Sequence, residues 1–166
     1  MSLKNKLSES ALYDLIRSAL KEDIGSGDIT TELLIPKNKA IQAVIILKEK
    51  AVLAGLEIAQ KVFKVIDRNI QFKACSADGS QEKPGKIIAK IQGKADSILS
   101  GERTALNFLS HLSGVATVTR SFVDQVKPYK ARIMDTRKTI PGLRELEKYA
   151  LALGGGCNHR MGLWDA

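Results

Sequence analysis

Ala131-Arg132-Ile133-Met134-Asp135-Thr136-Arg137-Lys138-Thr139-Ile140-Pro141-Gly142-Leu143-Arg144 is the stretch on which the fold turns. Ala131 to Thr136 reads as a strand entering a polar turn, and Pro141 sits where a helix begins. Leu143, Leu146, Tyr149, Ala150 and Leu153 then recur at helical spacing, and Gly154-Gly155-Gly156 ends the run. Strand, loop and helix in that order form the opening unit of an α/β barrel or a parallel sheet.

Upstream, Ile98 to about Val126 carries a long helical pattern through Leu99, Leu106, Leu109, Leu112, Ala116 and Phe122. Gly114 interrupts it, as a break or as a close packing point, and a domain boundary is expected there. Further back, Ser8 can cap a helix striped by Leu12, Leu15, Ile16, Ala19 and Leu20, which Gly25-Ser26-Gly27-Asp28 ends. Ala40 to Leu47 reads as a strand, Ala51 to Gly55 as a short second one, and Leu56 to Ile66 as a helix. Ile70 to Cys75 and Ile87 to Ile91 alternate as strands, with a polar loop or hairpin connection from Ser76 to Gly85 between them. This order predicts an α+β sheet domain with helices on one face.

Composition narrows the function. Apolar residues at 44% and charged residues at 27% are those of a globular chain with a core. No apolar run is long enough to span a membrane. Met1-Ser2-Leu3-Lys4-Asn5-Lys6 has lysines with no apolar run behind them, so no signal peptide and a cytoplasmic location are expected. Cys75 and Cys157 lie far apart with no CxxC and no metal-ligand spacing, which reads as two reduced thiols. Twenty-six Lys and Arg against 18 Asp and Glu give a net charge of +8, which favours anionic partners. The positives cluster between residues 127 and 160, beside Gly, Thr and His. One Trp, three Tyr and four Phe make no base-stacking platform, and no nucleic-acid-binding motif is present. A small anionic ligand fits better than a polymer.

Ligands of α/β folds meet the loops at the carboxyl ends of strands, where Asp135-Thr136-Arg137-Lys138-Thr139 is expected to lie. Arg137 offers a planar fork for a carboxylate and Lys138 a point charge for a phosphate, unless both are merely solvated. Gly155-Gly156-Cys157-Asn158-His159-Arg160 either brings backbone N–H groups up to an anion or caps a helix ahead of an exposed loop. Arg103 is a third candidate, or else pairs with a helix carboxylate. His111 reads as a packing or hydrogen-bonding histidine, and Asp23 and Asp28 as turn or cap residues.

Three blocks carry more than these separate readings. They are Asp28-Ile29-Thr30-Thr31; Ser100-Gly101-Glu102-Arg103-Thr104-Ala105-Leu106-Asn107-Phe108-Leu109 with Ser113-Gly114-Val115-Ala116-Thr117; and Asp135 to Arg144 with Glu147-Lys148-Tyr149-Ala150 and Gly154 to Leu163. In this order they resemble the quinolinate phosphoribosyltransferase family, also called nicotinate-nucleotide pyrophosphorylase. The resemblance implies phosphoribosyl transfer from phosphoribosyl pyrophosphate to quinolinate with loss of carbon dioxide, in the synthesis of NAD, with magnesium accompanying the pyrophosphate. It implies an N-terminal α/β sandwich, residues 1–113, joined to an incomplete α/β barrel that residues 114–166 begin. It also implies that Arg137, Lys138, His159 and Arg160 line the substrate pocket. Arg103 would reach in from the neighbouring subunit of a homodimer or higher oligomer.

The sequence departs from the family pattern after Leu163-Trp164-Asp165-Ala166, where the next barrel strand, with its lysine and later acidic residues, would follow. A barrel of this kind takes roughly 200 to 250 residues. No catalytic residue and no metal ligand is therefore assigned here, and the chain alone is expected to be inactive. Two alternatives stay open: a non-catalytic anion-binding or dimerisation fragment, and a paralogous phosphoribosyltransferase for another heterocyclic acid.

Overall fold

A computed structural model describes residues 8–165. The stretch Met1 to Lys6, on which the expectation about a leader rests, lies outside the described residues. Helix α1 (Glu9–Ile24) starts where Ser8 accepts the Ala11 N–H at 3.2 Å and stops at Gly25, whose φ is +56°. It buries Leu12, Ile16 and Leu20, the centre of the stripe read from the sequence. A short helix α2 (Ile29–Leu34) follows, capped by Asp28, whose carboxylate accepts the Thr31 N–H and hydroxyl and also the Ser100 hydroxyl. These hydrogen bonds, Thr31's first, hold the Asp28 carboxyl below its ordinary value against the opposing effect of burial.

Strand β1 (Ala40–Ile46) comes next, then the two-residue β2 (Ala51–Val52) and helix α3 (Leu56–Ile66). Strands β3 (Gln71–Ala74), β4 (Gln81–Glu82) and β5 (Ile87–Lys94) complete the sheets. β1, β5 and β3 form one antiparallel sheet with β5 central, while β2 pairs with β4. Alternation divides the larger sheet. Ile45, Ala89 and Ile91 are buried, whereas Val44, Lys90 and Gln92 face out. The buried side packs against α3 and α4 (Ala95–Val126), so the helices cover one face, as expected.

The strand read over Ala51 to Gly55 shortens to β2: Leu53 bonds the Ser80 and Gly79 backbone, but side chains replace a strand partner at Ala54 and Gly55. The Val52 N–H donates to Thr117 Oγ1 at 2.9 Å, and Ser113 Oγ both accepts from the Ala54 N–H and donates to its carbonyl. β4 lies inside the stretch read as a loop or hairpin connection. Gly114 neither breaks α4 nor packs closely: the helix runs through it, and a Cβ there would meet nothing within 4 Å. No helix among the described residues is long and apolar enough to cross a membrane.

Beyond α4, the expected strand from Ala131 to Thr136 reduces to one parallel bridge, Met134 to Cys157. Helix α5 (Arg144–Leu153) starts three residues after Pro141, because Gly142 has φ +83° and cannot continue a helix. α5 buries Leu146, Tyr149 and Ala150 against α4. Asp78 ties this helix to the sheet domain. It accepts the Gly55 and Leu56 N–H groups, both at 3.0 Å, and the Tyr149 hydroxyl at 2.9 Å. Gly55 brings no side-chain cap to α3, so Asp78 supplies it from outside the helix. Burial first, and the Asp78 charge second, push the Tyr149 phenol well above its ordinary value. The described residues form a mixed fold of open antiparallel sheets and helices, and among them no barrel closes.

Candidate anion site

Residues 133–135 and 157 run side by side in the same direction. The Cys157 N–H donates to the Ile133 carbonyl at 2.8 Å, and the Asp135 N–H donates to the Cys157 carbonyl at 3.1 Å. Helix α5 connects them, so this is a crossover unit in miniature. Both segments therefore leave the bridge at the same end. Thr136 to Thr139 issues from one and Asn158 to Arg160 from the other, which brings Arg137, Lys138, His159 and Arg160 to one edge.

A buried ion pair holds that edge. Lys148 reaches back from α5 to Asp135 Oδ1 at 2.6 Å, with 1% of its side chain exposed and 4% of Asp135's. The Lys148 ammonium also donates to the His159 carbonyl at 3.0 Å, and Asp135 Oδ1 accepts the His159 N–H at 2.7 Å. Asn158 donates to the Lys148 carbonyl at 3.3 Å. Arg144 fastens the other loop: its guanidinium donates to Thr139 Oγ1, the Arg137 carbonyl and the Met161 carbonyl. Sequence reasoning assigned neither Lys148 nor Arg144 a role. A lysine between Glu147 and Tyr149 in an amphipathic helix has the local appearance of a solvated charge, and only the chain's return past Asp135 encloses it.

The basic side chains themselves have no acidic partner. Among the described residues, no carboxylate lies within 4.0 Å of the side-chain nitrogens of Arg137, Lys138, His159 or Arg160. Lys138, His159 and Arg160 are exposed, while Arg137 is half-buried with its Nε enclosed and unpartnered. A buried donor without an acceptor costs free energy unless a ligand or water supplies one. The edge is thus cationic, held in place from behind, and short of acceptors.

The glycine run does not serve this edge as one of its two sequence readings had it. The N–H groups of Gly154, Gly155 and Gly156 donate to Ala150, Ala152 and Leu151 carbonyls, so they cap α5 and offer nothing to an anion. Gly154 is needed for packing: a Cβ there would come 2.5 Å from the Ala116 carbonyl oxygen on α4. Arg103 stands apart. It is exposed on α4 and lines a groove of about 700 Å³ with Ile46, Leu47, Asn107 and Ser110, to which none of the other four cations contributes. No carboxylate pairs with it among the described residues. His111 hydrogen-bonds Glu147 Oε1 through Nε2 at 3.0 Å, joining α4 to α5. Cys75 and Cys157 are both free thiols.

Comparison with known proteins agrees across the chain. Residues 28–113 match the family model "Quinolinate phosphoribosyl transferase, N-terminal domain", and residues 115–166 match the corresponding C-terminal domain. A probable nicotinate-nucleotide pyrophosphorylase [carboxylating] from Synechocystis is 45% identical over 147 residues, covering 89% of this chain and 50% of that protein. The Bacillus subtilis counterpart is 42% identical, covering 93% and 53%. Among solved structures, NadC from Streptococcus pyogenes superposes with a TM-score of 0.92 at 39% identity, over 96% of this chain and 57% of the other. The nicotinate-nucleotide pyrophosphorylase from Francisella tularensis also gives 0.92, at 42% identity, over 98% and 57%. The chain spans about half the length of the curated relatives it matches.

Proposed function

The chain belongs to the quinolinate phosphoribosyltransferase family, and on that premise we propose that it supplies anion-binding residues for phosphoribosyl transfer to quinolinate. The observation that carries this reading is the pair of loops leaving one end of the Met134–Cys157 bridge, with Arg137, Lys138 and Arg160 side chains that no carboxylate pairs among the described residues. Quinolinate is a dicarboxylate and phosphoribosyl pyrophosphate carries several more negative charges. An edge whose basic side chains have no carboxylate partner among the described residues suits both.

In the proposed reaction the quinolinate ring nitrogen bonds to the anomeric carbon of the ribose. The bond from that carbon to the pyrophosphate oxygen breaks and pyrophosphate leaves with the electron pair; the pyridinium product then loses carbon dioxide, and the ring carbon left with that bond's electron pair takes up a proton from solvent. The Arg137 fork would meet a carboxylate, and its unpartnered Nε is the donor with capacity to spare. Lys138, His159 and Arg160 would hold phosphate oxygens and stabilise charge on the leaving group. Arg103 would complete the pocket of a neighbouring subunit in a homodimer, which accounts for its place on a separate surface. Magnesium would arrive with the pyrophosphate. The described residues contain no group of three or more His, Cys, Asp or Glu fit to hold a metal ion, so no step is assigned to one here. A cytoplasmic location belongs to the same proposal, and two free thiols suit a reducing compartment.

The test is a transfer assay with quinolinate, phosphoribosyl pyrophosphate and magnesium, run alongside the intact mass of the purified protein. Formation of nicotinate mononucleotide, with kcat/KM falling about 10²-fold or more in Arg137→Ala, supports the reading. Turnover untouched by that substitution would remove Arg137 from the site. An absence of turnover in protein whose mass corresponds to these 166 residues would assign the reaction to more than this chain.

A further inference from the structure

We propose that Asp135 and Lys148 are a positioning pair that sets the geometry of the cationic edge, an inference that rests on the functional reading above. Three observations combine. The pair is almost wholly enclosed, and it joins α5 to the end of one bridged segment at 2.6 Å. Both partners then bond the backbone of His159, one at its carbonyl and the other at its N–H. A single ion pair therefore clamps the peptide groups on either side of His159, two residues beyond the bridge and next to Arg160. On the other segment, Asp135 stands two residues ahead of Arg137. Neither side chain needs to touch substrate for this to matter, because each fixes where the neighbouring cations point.

Charge supplies the second half of the inference. Asp135 is a carboxylate at the edge where anions are to bind, and left alone it would repel them. Lys148 neutralises it at contact distance. Asp135 Oδ2 is enclosed without a hydrogen-bond partner, so Lys148 at Oδ1 is the nearest compensation that the carboxylate has among the described residues. Removing the lysine would leave a buried, uncompensated negative charge beneath the cationic edge. Removing both charges would restore neutrality without restoring the clamp.

That difference gives a test. Lys148→Met and the double variant Asp135→Asn/Lys148→Met are compared with the parent by thermal unfolding and by steady-state kinetics well below every transition. Lys148→Met is expected to unfold at lower temperature and to lose about 10²-fold in kcat/KM for both anionic substrates. The double variant is expected to regain most of the thermal stability and still remain at least about tenfold below the parent in kcat/KM. A purely structural role predicts instead that stability and kcat/KM recover together, which would overturn the proposal. Parent kinetics in a folded Lys148→Met protein would overturn it as well. If Lys148→Met does not fold, the double variant alone decides by the same criterion. If the parent itself shows no transfer, the reaction belongs to more than this chain, and kinetics cannot judge the pair. Inorganic phosphate affinity and the exchange rate of the His159 amide then judge the pair: weaker binding and faster exchange in the double variant support it, and parent values overturn it.

Discussion

Asp28 and Tyr149 have ionisations that the fold moves in opposite directions, with opposite consequences. The Asp28 carboxyl is lowered on folding by Thr31 and Ser100, so its contribution to stability is present above the unfolded value of about 3.9 and fades as pH falls through that range. Asp28→Ala should cost about 1 kcal/mol at neutral pH and flatten the acid limb of a urea-unfolding series. The Tyr149 phenol is raised, so its contribution is whole below the unfolded value of about 10 and declines as pH rises beyond it. Tyr149→Phe should cost about 1 kcal/mol at pH 7, measured by urea unfolding, and lessen the loss of stability above pH 10. An unchanged alkaline limb in that variant would dissociate the phenol from the effect. At this scale the sequence was only partly legible. Asp28 was read as a turn or cap residue because a Gly-Ser-Gly turn precedes it. Asp78 could not be found the same way, since its three partners lie 22, 23 and 71 positions away.

Helices were the most legible elements, because their burial follows a period written in the side chains. α3 was read with its observed bounds, Leu56–Ile66, and α1 with its cap. α2 escaped because its exposed Ile29, Leu33 and Leu34 make no buried stripe. The strand expected at 131–136 escaped for the opposite reason. β-structure needs a partner, and Met134 with Cys157 is the one bridge this segment makes among the described residues. Where helices meet, two glycines make contrasting predictions. Gly154→Ala would drive a methyl group to 2.5 Å from the Ala116 carbonyl and 2.7 Å from Thr119 Cβ, so it should destabilise by about 1–3 kcal/mol. Gly114→Ala finds open space inside a helix and should stabilise by about 0.5–1 kcal/mol. Thermal melts of the two proteins should move in opposite directions. The same shift in both would mean that α4 and α5 do not approach as described.

Taken whole, the molecule joins its two family-matched regions without a loop between them. The match changes from one to the other around residue 114, and α4 passes through that point as one helix of 32 residues. The boundary expected from the sequence is invisible as a break for this reason: family regions meet where the backbone does not change conformation. Four of the five candidate site residues lie beyond it and gather at one edge, while Arg103 stays on its near side. The gathering follows from the chain's return after α5, and no local pattern announces it. An uninterrupted helix across a junction makes rotational phase a conserved quantity. One residue inserted after Gly114 would advance everything downstream by about 1.5 Å and turn it by about 100° about the helix axis. Tyr149 would swing away from Asp78 and Thr117 from Val52, and the edge that carries Arg137 and Arg160 would face a different direction. Seven inserted residues, close to two full turns, would restore the facing while lengthening the axis. Chimeras with relatives at this point should therefore tolerate changes of sequence far better than changes of length, and soluble yield across a one-to-seven-residue insertion series should rise and fall with the helical repeat.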